Sequence, residues 1–216
     1  MSLSTIASTT SILSCMDYVL YCFSSSSFRY PRDISNRLTC SLFQCYIVGF
    51  CVYNLLTIIS KKNQLHPLTR IAENHLIGYF IYDSLVLLSS ARGRMNYTYI
   101  IHHIISLFIL AINSSYPCGT DELNNSIIIL LEGSSPFLNV WKISQEINPN
   151  SIYTYLFHRI SAILYYSLRI VGMTLWLLMY GAKQFTFTWN HLMNGTGFIL
   201  IYIASLFWFR RLVKKG

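Results

Sequence analysis

Residues 97–112 read Tyr-Thr-Tyr-Ile-Ile-His-His-Ile-Ile-Ser-Leu-Phe-Ile-Leu-Ala-Ile, a run without Asp, Glu, Lys or Arg. A soluble helix shows an apolar stripe backed by a charged face. This run is apolar all round, broken chiefly by two adjacent histidines. Blocks of about 17–25 such residues match the hydrocarbon thickness of a bilayer. The same pattern recurs outward from it, at Cys40–Ile59, His75–Ser89, Asn124–Trp141, Phe157–Tyr180 and His191–Phe209. With Tyr97–Ile112 these make six segments. Several are short or polar for a lone span and need partners in a bundle. Pro136 inside the fourth is tolerable where neighbours satisfy the carbonyl it frees.

Composition agrees with this reading. Of 216 residues, 53% are hydrophobic and 11% charged, against about 25% charged in a soluble domain. The 16 tyrosines suit membrane interfaces and polar cavities, since the ring is apolar and its tip polar. The net charge of +8 comes from basic residues between apolar blocks and at the C-terminus. No basic stripe interleaves with stacking aromatics, so nucleic acid is not an expected partner. The cysteines, Cys15, Cys22, Cys40, Cys45, Cys51 and Cys118, form neither a C-x-x-C pair nor a zinc spacing. Most read as small buried hydrophobes. One adjacent His pair falls short of the several His boxes of di-iron lipid hydroxylases and desaturases, so no metal is expected.

Residues 1–35 form a separate N-terminal segment. Its apolar patch, Ile12–Phe23, is interrupted by Asp17, and no basic residue precedes Arg29 as a signal peptide would require. A weakly hydrophobic extra membrane helix and an interfacial segment both fit. Residues 36–210 form one membrane domain, and 211–216 a basic tail.

Ionisable groups inside spans cost several kcal/mol unless they face a partner or cavity. The exceptions here are His75, Asp83, His102, His103, Glu132 and Arg169, with Asn139, Tyr82 and Tyr166 beside them. His75, Tyr79, Tyr82 and Asp83 share a helix face by spacing. So do Glu132, Ser135 and Asn139, and, three apart, Tyr166 and Arg169. Such stripes are best pointed at a common interior. Adjacent residues on a helix diverge by about 100°, so one of His102 and His103 is expected to face the cavity and the other to brace a neighbouring helix. The cavity-facing one suits acid–base work, oriented by Asp83 or Glu132. A structural His pair and a structural Glu132–Arg169 ion pair fit the spacing equally well. Gly49, Gly78, Gly172 and Gly195 are expected to permit close helix packing, and Trp189 and Trp208 to anchor at the interface.

Several motifs, in order, resemble the TLC (TRAM–LAG–CLN) domain family over residues 36–210. They are Arg37 before Ser41, with Gln44 where the family commonly has His; Gly78-Tyr79-Phe80-Ile81-Tyr82-Asp83; the adjacent His102-His103; Glu132-Gly133-Ser134-Ser135-Pro136-Phe137-Leu138-Asn139; and Arg169. The last two are similar to the TLC-domain-containing branch. The resemblance implies an all-α multi-pass membrane protein with six core transmembrane helices in a barrel around a lipid-accessible cavity. It implies a role in lipid homeostasis with membrane lipids as partners, and an endoplasmic-reticulum or other endomembrane location. Some members, the ceramide synthases, transfer an acyl group from acyl-CoA to a sphingoid amine, with the adjacent histidines implicated. On that analogy His102, His103, Asp83 and Glu132 form the candidate catalytic set. Acyl-CoA is a co-substrate rather than a bound cofactor, and Arg169 or the basic rim attracts its phosphates. Other members organise membranes or bind lipid without established chemistry. The abundance of Ile, Asn and Tyr suits an AT-rich genome, of a microbial eukaryote or a large virus using its host's membrane.

Counting Lys and Arg in the connections sets the orientation. Eleven, among them Arg32, Arg37, Lys142, Arg211 and Lys214, fall on one side, and Lys61, Lys62, Arg70 and Lys183 on the other. The positive-inside rule puts the C-terminus in the cytoplasm. A C-terminal tag in sealed microsomes should therefore be digested by added protease; a protected tag contradicts the orientation.

Overall fold

Where its residues are described, each apolar block is helical, and the helix starts carry the residues expected there. Pro31 and Pro67 open two helices, where a missing N–H costs nothing. Ser2 and Ser151 cap two more, their hydroxyls accepting from the backbone N–H of Thr5 and Tyr153. The computed structural model describes residues 2–25, 31–60, 67–89, 93–115, 129–183 and 189–214, and its regular elements there are all helical. Lys61, Lys62 and Cys118, and the start of the Asn124–Trp141 block, lie outside the described residues.

Seven rods result among the described residues. They are α1 (Leu3–Ser24), α2 (Pro31–Ser60), α3 (Pro67–Ser89) and α4 (Gly93–Ser115), followed by a fifth from residue 129 to 147. The fifth passes through a single 3-10 turn, Glu132–Ser134, into α5 (Ser135–Ile147). The sixth runs α6 (Ile152–Tyr165), a π-helical stretch Tyr166–Gly172 and α7 (Met173–Lys183); the last is α8 (Trp189–Val213). Among the described residues, three stretches are long and apolar enough to cross a membrane: Leu3–Ser24, Ile152–Met179 and Gly195–Val213. The N-terminal patch thus belongs to a helix of 22 residues.

The order of packing is cyclic. α2 packs on α5, α5 on α6, the sixth rod on α8, α8 on α4, α4 on α3, and α3 on α2. α1 lies outside this ring against α2 and α3. Outward faces carry exposed Leu85, Ile104, Ile163, Leu200 and Ile203, while Phe43, Ile47, Phe80, Ile109 and Phe198 pack inward as a core.

Two local features depart from the spacing argument. The π turn bonds i to i+5, so residues three apart no longer share a face. Arg169 is buried, whereas Tyr166 is exposed and packs on Phe209. Tyr165, four residues before Arg169, is the aromatic under its guanidinium, 5.4 Å from the ring centre. The glycines also divide unevenly. A Cβ on Gly78 would sit 2.8 Å from Thr9 Cβ and 2.9 Å from the Ile6 carbonyl oxygen, so α1 approaches α3 there. Gly49 and Gly195 have nothing within 4 Å, and Gly172 meets only its own helix. Gly197, which spacing had not singled out, makes another tight crossing, against Ile109.

Gly78→Ala should lower the melting temperature in detergent by separating α1 from α3, an overpacking cost of about 1–3 kcal/mol. Gly49→Ala should leave it unchanged or raise it.

Candidate functional site

The site is built around one consequence of Pro136. Proline has no N–H for the carbonyl four residues back. The Ser135 N–H takes the Glu132 carbonyl instead, tightening the turn to 3-10. That withdraws a backbone partner from the Leu131 carbonyl. Arg169 supplies the replacement: its Nε donates to Leu131 O at 3.1 Å and to Ser134 Oγ at 3.3 Å. Its Nη2 donates to Glu132 Oε1 at 2.7 Å and to Ser135 Oγ at 3.0 Å. The two charges are 5% and 8% exposed at their side chains. Arg169, expected to attract phosphates, therefore has its Nε and Nη2 taken up in holding the sixth rod to the fifth.

Glu132 is an acceptor hub. Besides Arg169, its Oε1 faces His102 Nε2 at 3.3 Å. Its Oε2 accepts from Gln44 Nε2 at 3.4 Å and from Ser135 Oγ at 3.0 Å. An ionised carboxylate only accepts, which fixes the amide nitrogen of Gln44 toward it. The Gln44 nitrogen also donates to Tyr79 OH at 2.8 Å. Gln44 Oε1 is left with no hydrogen-bond partner.

The two histidines diverge as the helix repeat requires, each to its own carboxylate. His103 Nε2 faces Asp83 Oδ2 at 3.5 Å, and Nδ1 meets Ser84 Oγ at 3.2 Å. His102 meets Glu132 through Nε2, and its buried Nδ1 has no partner. Both line the same cavity, so the expected split into one cavity residue and one brace does not hold as stated. The cavity is wide enough to reach both. What differs is that His103 has both nitrogens engaged and His102 only one.

α2 contributes a stripe, Asn36, Cys40 and Gln44, four residues apart, of which the family motif singles out Gln44 but not the shared face. Asn36 Nδ2 donates to Asp83 Oδ1 at 3.2 Å and its Oδ1 accepts from Tyr82 OH at 3.0 Å. Cys40 Sγ lies 3.5 Å from both Asn36 Oδ1 and Asp83 Oδ1. The i, i+4, i+8 spacing was the available signal, masked by reading Cys40 as a plain hydrophobe. Trp208, expected at the interface, is instead buried, edge-on to His102 and stacked on Tyr99. His75 leaves the group, turning to Thr9 Oγ1 at 2.8 Å on α1. Asp17 accepts from Ser35 Oγ at 2.7 Å.

Many of these residues, though not His75 or Ser84, line a cavity of about 1360 Å³. Asp83, His102, His103, Glu132, Asn139 and Arg169 all line it. Arg37 Nη1 reaches Asn139 Oδ1 at 3.4 Å. From the buried pairs the cavity runs outward past half-buried Arg37 and Lys142 to exposed Arg32, Arg211 and Lys214. All five belong to the side counted as cytoplasmic. Among the described residues, no three His, Cys, Asp or Glu side chains converge as metal ligands would.

Arg169→Met should cost about 3–5 kcal/mol in unfolding, because Glu132 is left buried without its counter-charge. Adding Glu132→Gln should recover part of that loss. Equal and additive losses would show that the pair is not coupled.

No curated protein and no solved structure matches the chain significantly. A family model described as the TLC domain matches residues 2–214, so α1 lies within the matched region. That match takes in the helices and every residue of the cavity named above. The chain belongs to the TLC-domain family, associated with lipid metabolism, and is an integral multi-pass membrane protein.

Proposed function

We propose that this protein binds a membrane lipid in a transmembrane barrel of six helices and transfers to it an acyl group from acyl-CoA. The observation that carries the reading is the continuity of one cavity from a basic mouth to the His102–Glu132 pair. Ordinary small-molecule pockets occupy about 300–1,000 Å³, so 1360 Å³ suits a larger amphiphile. Arg32, Arg37 and Arg211 at the mouth suit phosphate groups, a part better met there than by Arg169. The interior, with Tyr99, Leu138 and Trp208, suits an acyl chain.

In this reading His102 Nε2–H is held by Glu132, which leaves Nδ1 as the base. As the acceptor's amine or hydroxyl attacks the acyl carbon, Nδ1 takes its proton. Glu132 keeps the ring oriented and stabilises the imidazolium. The proton then passes to the departing thiolate. His103, Asp83 and Ser84 form a second arm that positions α3 against α4. By analogy with the family, the membrane is that of the endoplasmic reticulum or another endomembrane.

A second reading, lipid binding without chemistry, is favoured by the Arg169–Glu132 clamp, which suits a scaffold as well as a catalyst. Purified protein given acyl-CoA and candidate lipid acceptors separates the two. His102→Gln should keep its melting temperature and lose about 10²–10⁴ in rate, as loss of a general base does. His103→Ala should chiefly lose stability, since Asp83 and Ser84 lose a partner. Bound lipid without turnover in the wild type would leave the second reading standing.

A further inference from the structure

We infer that Cys40 is an acyl-accepting nucleophile, forming an S-acyl thioester before the group passes to its lipid acceptor. The inference rests on the acyl-transfer reading and adds a covalent step to it. Cys40 is 3% exposed yet lines the cavity, and its thiol is embedded in polar contacts. Sγ lies 3.5 Å from Asp83 Oδ1, and the other oxygen of that carboxylate lies 3.5 Å from His103 Nε2. The three groups form a Cys–Asp–His array. As a sulfhydryl donor within reach of Asp83, the thiol can hand its proton to that carboxylate as the sulfur meets an electrophile.

A second observation points to a ligand at the same place. One helical turn along α2, Gln44 is 4% exposed and lines the cavity, and its Oε1 has no partner. A buried carbonyl oxygen left unpaired loses its hydration with nothing in return. An N–H from the bound molecule would satisfy it, and the pantetheine arm of an acyl-CoA carries amide N–H groups. Among the described cysteines, Cys15, Cys22 and Cys45 are exposed and Cys40 and Cys51 buried; of the five, Cys40 lines the cavity.

The chemistry balances without a further reactant. The Cys40 sulfur bonds to the thioester carbonyl carbon as its S–H proton passes to Asp83 Oδ1. The bond from that carbon to the CoA sulfur breaks, and the CoA thiolate takes the proton from Asp83 and leaves as a thiol. The acceptor's amine or hydroxyl then attacks acyl-Cys40, giving its proton to His102 Nδ1. That proton returns to the Cys40 sulfur as the thiol is regenerated.

The test is to incubate the purified full chain with palmitoyl-CoA, with and without lipid acceptors, and to map the acyl mass by peptide. The expected result without acceptor is one palmitoyl group on the Cys40 peptide, removed by neutral hydroxylamine. It should be absent from Cys40→Ala. It should form about 10²–10⁴ times more slowly in Asp83→Asn, as for a lost general base. Adding a productive acceptor should discharge it. Label confined to Cys15, Cys22 and Cys45, or found on a histidine, overturns the inference, as does wild-type turnover by Cys40→Ala. Mapping on the unaltered chain keeps the answer independent of how the variants fold. Turnover with no label on Cys40 retains acyl transfer and removes this step. A labelled Cys40 that no lipid acceptor discharges retains the step and removes transfer to lipid. No label and no turnover removes both.

Discussion

Burying the Arg169 guanidinium 2.7 Å from the Glu132 carboxylate constrains everything around it. Two ions can stay in a low-dielectric interior only if their remaining hydrogen-bonding capacity is met. Glu132 meets its share through Gln44 of α2, His102 of α4 and the adjacent Ser135. Arg169 meets its share through the Leu131 carbonyl, Ser134 and Ser135. One ion pair thereby fixes the rotation of α2, α4 and the fifth and sixth rods about a common point. The Pro136 turn and the π stretch are local distortions that bring the two charges together, one by freeing a carbonyl and the other by turning Arg169 inward.

From that fixed point the cavity acquires two unlike arms. One is His102 on Glu132, with a buried ring nitrogen left without a partner. The other is His103 on Asp83, tied on through Asn36 and Cys40 to α2. Because adjacent side chains on α4 diverge, a single helix supplies both arms and holds them together, ring centres 5.6 Å apart. The same closeness makes a two-stage acyl transfer geometrically economical. Basic residues gather at the exposed end of the cavity, away from the buried groups.

Much of this was legible in the sequence because water-free surroundings penalise charge so steeply. Asp83, His102, His103, Glu132 and Arg169 stand out against apolar neighbours, and all line one cavity. Helix positions were legible too: each apolar block lies inside a helix where the residues are described. Their lengths were not. α2 begins at Pro31, nine residues before the apolar block at Cys40, because Asn36 and Arg37 line the cavity and need no hydrophobicity. Tyr166 was misassigned because a 3.6-residue repeat was applied to a π turn. Cys40 and Trp208 were misread because residue type says where a side chain can sit, and only packing says what it meets there. Gly197 escaped because the close approach of Ile109 from α4 belongs to another part of the chain.

The central claim is that the cavity holds the acyl chain and brings it to the paired histidines. The most direct measurement is photo-cross-linking with an acyl-CoA whose chain carries a diazirine, with the adducts located by peptide mapping. The account predicts adducts on cavity residues such as Tyr82, Leu138 and Trp208, reduced by excess unlabelled acyl-CoA. Adducts only on outward-facing residues such as Leu85, Ile163 and Leu200, with no competition, would contradict it.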